Sequence, residues 1–332
     1  MQYIVVYPDS HNSIGLFSDL KDCANVQLCV GRAKKVKSLP LRFLKKMHWK
    51  PSINRIVDLP FKRKWYYPIE LKVDDNGEYC VVVVDAAMRN VQVEQLKRLS
   101  RKENVRCVLV LLNSMDANSP GIQECKRDFK KVDWDDVYTF DPRDAEKYDY
   151  KYLGCCYYSK HDEDRVRNAH KDTEPSDIYF VGGLKGGREE EIISVYEKLT
   201  GAGIKAYFEL LVTGKRRLER KPHENSIHYY AGGWIPYEKT LAKALNTKVI
   251  LEVLQAGQNG PSVRYYEAVC HNKKLLTNNP GIKNLPYYDE RYMRVYRSVE
   301  DIDVSWIMED VTVDYGYQGD FSPISLLDRV LH

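Results

Sequence analysis

Short apolar runs alternate with polar, helix-patterned stretches along the whole chain. Strand-like runs fall at 3–7, 26–30, 80–84 and 106–112, and again at 178–181, 205–211, 248–254 and 274–277. These runs are almost wholly apolar rather than alternating, as in strands buried on both faces of a parallel sheet. Between them, 91–101 and 189–201 have the character of helices and supply βαβ crossovers. The stretch 136–142, DVYTFDP, reads as the last strand of a first domain, stopped by Asp-Pro. The pattern predicts an α/β protein of two doubly wound, Rossmann-like domains.

A break falls at 159–177, SKHDEDRVRNAHKDTEPSD, which is charged and has a proline near its end. The expected organisation is a first domain at 1–158, a linker at 159–177, a second domain at 178–316 and a tail at 317–332. Two such domains on one linker predict a cleft between the carboxyl ends of their strands.

The most informative segment is 246–279, NTKVILEVLQAGQNGPSVRYYEAVCHNKKLLTNN. A buried strand runs into a Gly-rich loop, the loop opens a helix at Pro261-Ser262, and a second strand follows. Pro at a first helical position wastes no N–H, and the amides after it have no helical partner. Such a helix end attracts phosphate through its amides and its dipole. Arg264 lies in the first turn and can fork onto the same oxygens. Glu267 lies about one turn further along the same face. A ribose diol can meet that carboxylate while the diphosphate meets the helix end.

At these residues the chain resembles the nucleotide-sugar-dependent glycosyltransferases of the GT-B fold, of the bacterial capsule and lipopolysaccharide type. The segment is similar to the E-x7-E pattern of retaining members. Asn259-Gly260 stands where that pattern has Glu-Gly, and Glu267 stands at its second glutamate, so retention and inversion both stay open. The resemblance implies a GT-B fold of two domains facing a cleft. It also implies a donor site that includes Asn259, Gly260, the Ser262 and Val263 amides, and Glu267 on the ribose.

Two more loops of the second domain fit that site. In FVGGLKGGR, 180–188, glycines such as Gly183 let the backbone approach a ligand, and Lys185 and Arg188 can neutralise a diphosphate. The spacing is not that of an ATP-type P-loop. In AGGWIPY, 231–237, Ile235 or Trp234 can pack on the base. In the first domain, His11 and Asp9 follow the first strand, and Asp85 ends the VVVVD run. Each is a candidate general base for the acceptor hydroxyl, with Arg264 helping the departing diphosphate. Asp301-Ile302-Asp303 is a D-x-D pair, but it stands near the C-terminus at an expected helix start rather than in a suitable strand-end loop, so the expected chemistry uses no metal and no cofactor beyond the nucleoside diphosphate sugar itself.

Composition adds one feature. The formal charge is only +4 over 332 residues, yet 31–65 holds twelve Lys and Arg against Asp58 alone, interleaved with Leu39, Phe43, Trp49, Phe61 and Trp65. Such a segment suits an anionic membrane surface, as a lipid-linked glycan acceptor would require. It matches no known nucleic-acid-reading module, and no nucleic-acid partner is expected. The eight cysteines form no C-x-x-C and read as reduced thiols. With no apolar run long enough to span a bilayer and no signal-like start, a cytoplasmic protein is expected, peripheral on the inner face of the cell membrane. Two other functions stay open: a sugar-nucleotide epimerase of the same two-domain shape, and a non-catalytic nucleotide- or glycan-binding homologue. The oligomeric state is unspecified.

Overall fold

In the computed structural model the first apolar run forms β1 (Gln2–Tyr7), followed by β2 (Val26–Val30), β3 (Tyr79–Val84), β4 (Val105–Leu111), β5 (Asp136–Thr139) and β6 (Lys151–Tyr152). The described residues are all except 9–14, 33, 49, 51–52, 54–61, 90, 117–125, 127, 155–157, 185–186, 213–220, 232–234, 255–259 and 331–332. The six strands make one parallel sheet in the order β2-β1-β3-β4-β5-β6. Helices α1 (Leu39–His48), α2 (Val93–Leu99) and α3 (Pro142–Tyr148) belong to the same unit. Every residue of β3, YCVVVV, is buried. At roughly 1.5–3 kcal/mol for each fully buried valine, that central strand is a main source of the unit's stability.

The second unit begins with α4 (Glu163–Ala169), inside the charged stretch 159–177; its Val166 packs against Leu241, Ala242 and Leu245. Then come β7 (Ser176–Gly183), α5 (Glu189–Gly201), β8 (Ala206–Val212), β9 (His228–Ala231), α6 (Tyr237–Leu245), β10 (Thr247–Glu252), α7 (Val263–Cys270), β11 (Lys274–Thr277), β12 (Met293–Val295) and α8 (Val304–Met308). Its strands form a second parallel sheet, β12-β11-β10-β7-β8-β9. Last, α9 (Pro323–Arg329) returns the chain to the first unit, which comprises 1–156 with 326–332; the second is 157–325. Among the described residues no helix is long and apolar enough to cross a membrane.

Several expectations change in detail. The strand at 136–139 does not end the first sheet, because β6 pairs beyond it. Two exposed residues carry no apolar signature. Strands β9 and β12, short and at sheet edges, were likewise not foreseen. Helix α7 starts at Val263 rather than Pro261. Ser262 is its N-cap and accepts from the Arg264 amide, so Pro261 lies before the helix.

Candidate nucleotide site

In the second sheet the chain moves from β7 outward to β8 and β9, then returns to the other side of β7 as β10. Open parallel sheets hold ligands beyond the carboxyl ends of the strands at such a reversal. Arg188 stands there. Its Nε and Nη2 donate to the Gly183 carbonyl at 3.2 and 2.9 Å, and its Nη1 donates to the Val253 carbonyl. One guanidinium therefore joins the ends of β7 and β10. Burial pushes its pKa down, against the pull of Glu191 and Glu252. Gly182 makes room for it: a Cβ there would lie 2.9 Å from Arg188 Nη2 and 2.8 Å from Phe180 Cζ.

The start of α7 is built around Glu252, buried at the end of β10. Its Oε1 accepts the Ser262 amide at 3.0 Å and its Oε2 accepts the Thr277 hydroxyl at 2.6 Å. Two backbone donors near the helix start are thus engaged within the chain: Ser262 N by Glu252 and Arg264 N by the Ser262 hydroxyl, 3.2 Å away. The Val263 amide occupies the first helical position, where a helix offers no partner four residues back. Gly260 is half-buried beside it, and Val263 is exposed.

Glu267 lies on the inner side of α7, 1% exposed. Arg264 Nη1 pairs with its Oε2, and the Tyr158 hydroxyl donates to its Oε1 at 3.4 Å. Burial raises the Glu267 pKa while Arg264 opposes the rise. Tyr158 also meets His271 Nε2 at 3.2 Å, and His271 Nδ1 lies 2.8 Å from Glu163 Oε2. Burial pushes Glu163 up, but hydrogen bonds from His271 and Arg167 outweigh it and hold the carboxyl at about 2. A polar chain thus runs from α4 through the interior to α7. Beyond β11 and β12 an open pocket of about 370 Å³ is lined by Glu191, Asn278, Pro280, Val295, Tyr296 and Arg297. Glu191 accepts from Asn278 and from Tyr296 there, both at 2.9 Å.

The structure therefore brings Gly183 and Arg188 to the carboxyl end of the sheet and places Gly260, Ser262, Val263, Arg264 and Glu267 at the start and on the inner face of α7. Lys185 and Asn259, with Trp234, lie outside the described residues. Ile235 is buried, 3% exposed. Glu252, Tyr158, His271 and Glu163 were not foreseen. Glu252 had one available signal, a carboxylate ending an otherwise apolar strand.

The first sheet reverses between β1 and β3, and Asp85 follows the carboxyl end of β3. It is 1% exposed. Its Oδ1 accepts the Ala86 amide at 2.6 Å, and its Oδ2 accepts the Asn113 amide at 3.2 Å and side chain at 2.9 Å. Burial raises its pKa to about 6, against these hydrogen bonds. Asp9 and His11, after β1, lie outside the described residues.

Two parallel six-stranded sheets with flanking helices make this a two-domain, Rossmann-like fold of the GT-B type. No protein-family profile matches the chain, and no curated protein matches it. Among solved structures it is similar to a trehalose-6-phosphate synthase studied with bisubstrate glycomimetics, at 9% identity over 100% of this chain and 95% of that one, TM-score 0.50. Weaker likenesses include an alpha-glucosyltransferase in complex with UDP and a 13-mer DNA, at 12% identity over 99% and 93% of the chains, TM-score 0.49. Another is the glycosyltransferase SnogD from Streptomyces nogalater, at 13% identity over 99% of each chain, TM-score 0.41.

Proposed function

We propose that this chain is a glycosyltransferase that moves a sugar from a nucleoside diphosphate sugar to a glycan acceptor of a bacterial surface polysaccharide, capsule or lipopolysaccharide. The observation that carries the reading is the position of Arg188, a half-buried cation joining the carboxyl ends of β7 and β10 at the reversal of the second sheet. The fold shared with the trehalose-6-phosphate synthase supports it. In this reading Arg188, Lys185 and the Val263 amide meet the diphosphate, and Glu267 meets the ribose. Charge developing on the departing diphosphate is stabilised by these fixed donors without a metal. The Arg264–Glu267 pair holds the carboxylate in place, and Arg264 reaches the diphosphate only by loosening that pair. Asp85 and Glu267 each already accept on both oxygens, so each meets a ligand by exchanging one of these bonds, and His11, Asp9 and Asp85 are the candidates for the base. The acceptor is lipid-linked, and the basic segment 31–65 rests on the inner, anionic face of the cell membrane.

The test is calorimetric titration with UDP-, GDP-, CMP- and dTDP-sugars, followed by turnover with the donor that binds, in the presence of EDTA. Binding of one donor and sugar transfer despite the chelator are expected. Failure of every donor to bind overturns the reading. Donor conversion without an acceptor would indicate the epimerase instead, and binding without turnover a non-catalytic homologue.

A further inference from the structure

Helix α1 carries four large apolar side chains that stand exposed. Leu39 is 75% exposed, Phe43 66%, Leu41 47% and Leu44 44%. At about 100° per residue, Leu39, Phe43, Pro40, Leu44 and Leu41 spread over an arc of about 200°, which also holds Met47 and the buried His48, while Lys45, Arg42 and Lys46 occupy the remaining arc. The helix is held by the chain before and after it. Arg42 Nε donates to the Val36 carbonyl at 2.8 Å, and Lys45 Nζ donates to the Lys34 carbonyl at 3.1 Å. At the carboxyl end Trp65 Nε1 donates to the buried His48 Nδ1 at 2.6 Å. Trp65 is thereby committed to holding the helix, and the outward apolar groups are aliphatic side chains and one phenylalanine. Trp49 and Phe61 lie outside the described residues.

We infer that α1 lies in the plane of an anionic bilayer and buries Leu39, Leu41, Phe43 and Leu44 at the boundary between headgroups and acyl chains. The inference rests on the membrane reading of segment 31–65 proposed above and names the side chains that enter the bilayer. Charge complementarity selects the occupant. The segment carries twelve cations to one acid, so a second copy of this chain would bring like charges together. A nucleic acid would satisfy the cations but offer little to four projecting apolar side chains, whereas an anionic lipid surface satisfies both. Screening over about 8 Å at physiological salt weakens the charge contribution alone, so association of an inserted helix persists when salt is raised.

The experiment uses the full chain, without nucleotide, and vesicles of phosphatidylcholine alone or mixed with phosphatidylglycerol. Co-sedimentation with the mixed vesicles is expected at low salt and, in part, at high salt. The Leu39→Ser, Phe43→Ser, Leu44→Ser triple variant should lose the salt-resistant part, with binding about tenfold weaker, and unchanged thermal melting would show that it folds. In a reporter variant, Phe43→Trp, tryptophan emission should shift to the blue and be quenched by brominated lipid. Wild type that ignores the mixed vesicles, or a triple variant that binds as well as wild type, overturns the inference. So do self-association abolished by the triple variant and RNA binding without vesicle binding, which would name a second copy or a nucleic acid as the occupant. Because no donor is present, failure of sugar transfer leaves this result untouched.

Discussion

Arg264 and Glu267 sit three residues apart on α7 and form an ion pair nearly closed to water, their side chains 15% and 2% exposed. A pair this deep depends on each partner for its solvation, because the protein interior replaces little of the lost hydration. The position is therefore structural as well as functional in the proposed site.

Arg264→Ala should cost about 3–5 kcal/mol of stability, because it strands the Glu267 carboxylate in the interior. Replacing both residues together, Arg264→Met with Glu267→Leu, should recover most of that loss and still abolish donor binding. Urea denaturation of Arg264→Met, Glu267→Leu and the double variant measures the coupling. Additive effects would show that the two side chains do not depend on each other.

Gly182→Ala should displace the Arg188 guanidinium, since the new methyl would stand 2.9 Å from Nη2 and 2.8 Å from the Phe180 ring. Overpacking of this kind costs about 1–3 kcal/mol. Donor affinity should fall with it, at a residue that itself offers no side chain to the ligand. Calorimetric titration beside a melting curve separates the two effects.

Glu163 ties acid stability to the buried polar chain. Its folded pKa, about 2, lies below the ordinary 4.5. The stability it contributes is fully present above pH 4.5 and is lost as the pH falls toward 2. With allowance for partial exposure the contribution is roughly 2 kcal/mol. Glu163→Gln should lower stability at neutral pH and flatten its decline across that window. Denaturation midpoints at a series of pH values provide the check, and an unchanged slope would remove the Glu163–His271 contact from the account.

Asp85 acts in the opposite sense. Its folded pKa is raised from 3.8 to about 6, so the folded chain binds the proton more tightly than the unfolded one. Stability falls as pH rises through that interval, by roughly 3 kcal/mol in all. Asp85→Asn should remove this slope. If sugar transfer also survives in that variant, the base is one of the residues after β1.

The eight apolar runs were legible as strands because both faces of each sheet are covered, which leaves little room for polar residues. Strands β9 and β12 escaped notice because they lie at sheet edges, where His228 and Arg294 are tolerated. The start of α7 was readable from Pro261 and Ser262 only to within two residues, since a capping serine and a first helical proline leave similar traces. Least readable was the support for Glu267. Tyr158 was expected to end the first domain, Glu163 comes from a stretch whose charge suggested a linker, and only the folded chain reveals that the helix there packs on α6.

The contacts of α9 bear on the order in which the protein is made. The Tyr3 hydroxyl donates to the Leu327 carbonyl at 3.4 Å, Arg106 donates to the Val330 carbonyl at 2.6 Å, and Arg329 donates to the Leu153 carbonyl at 2.8 Å. Domains emerging from the ribosome generally fold in the order of synthesis. Here the first unit acquires these three bonds only after the second has been translated. Until then its early sheet waits on the ribosome without its closing helix, and a stalled or prematurely ended chain would release a finished second unit joined to an unfinished first.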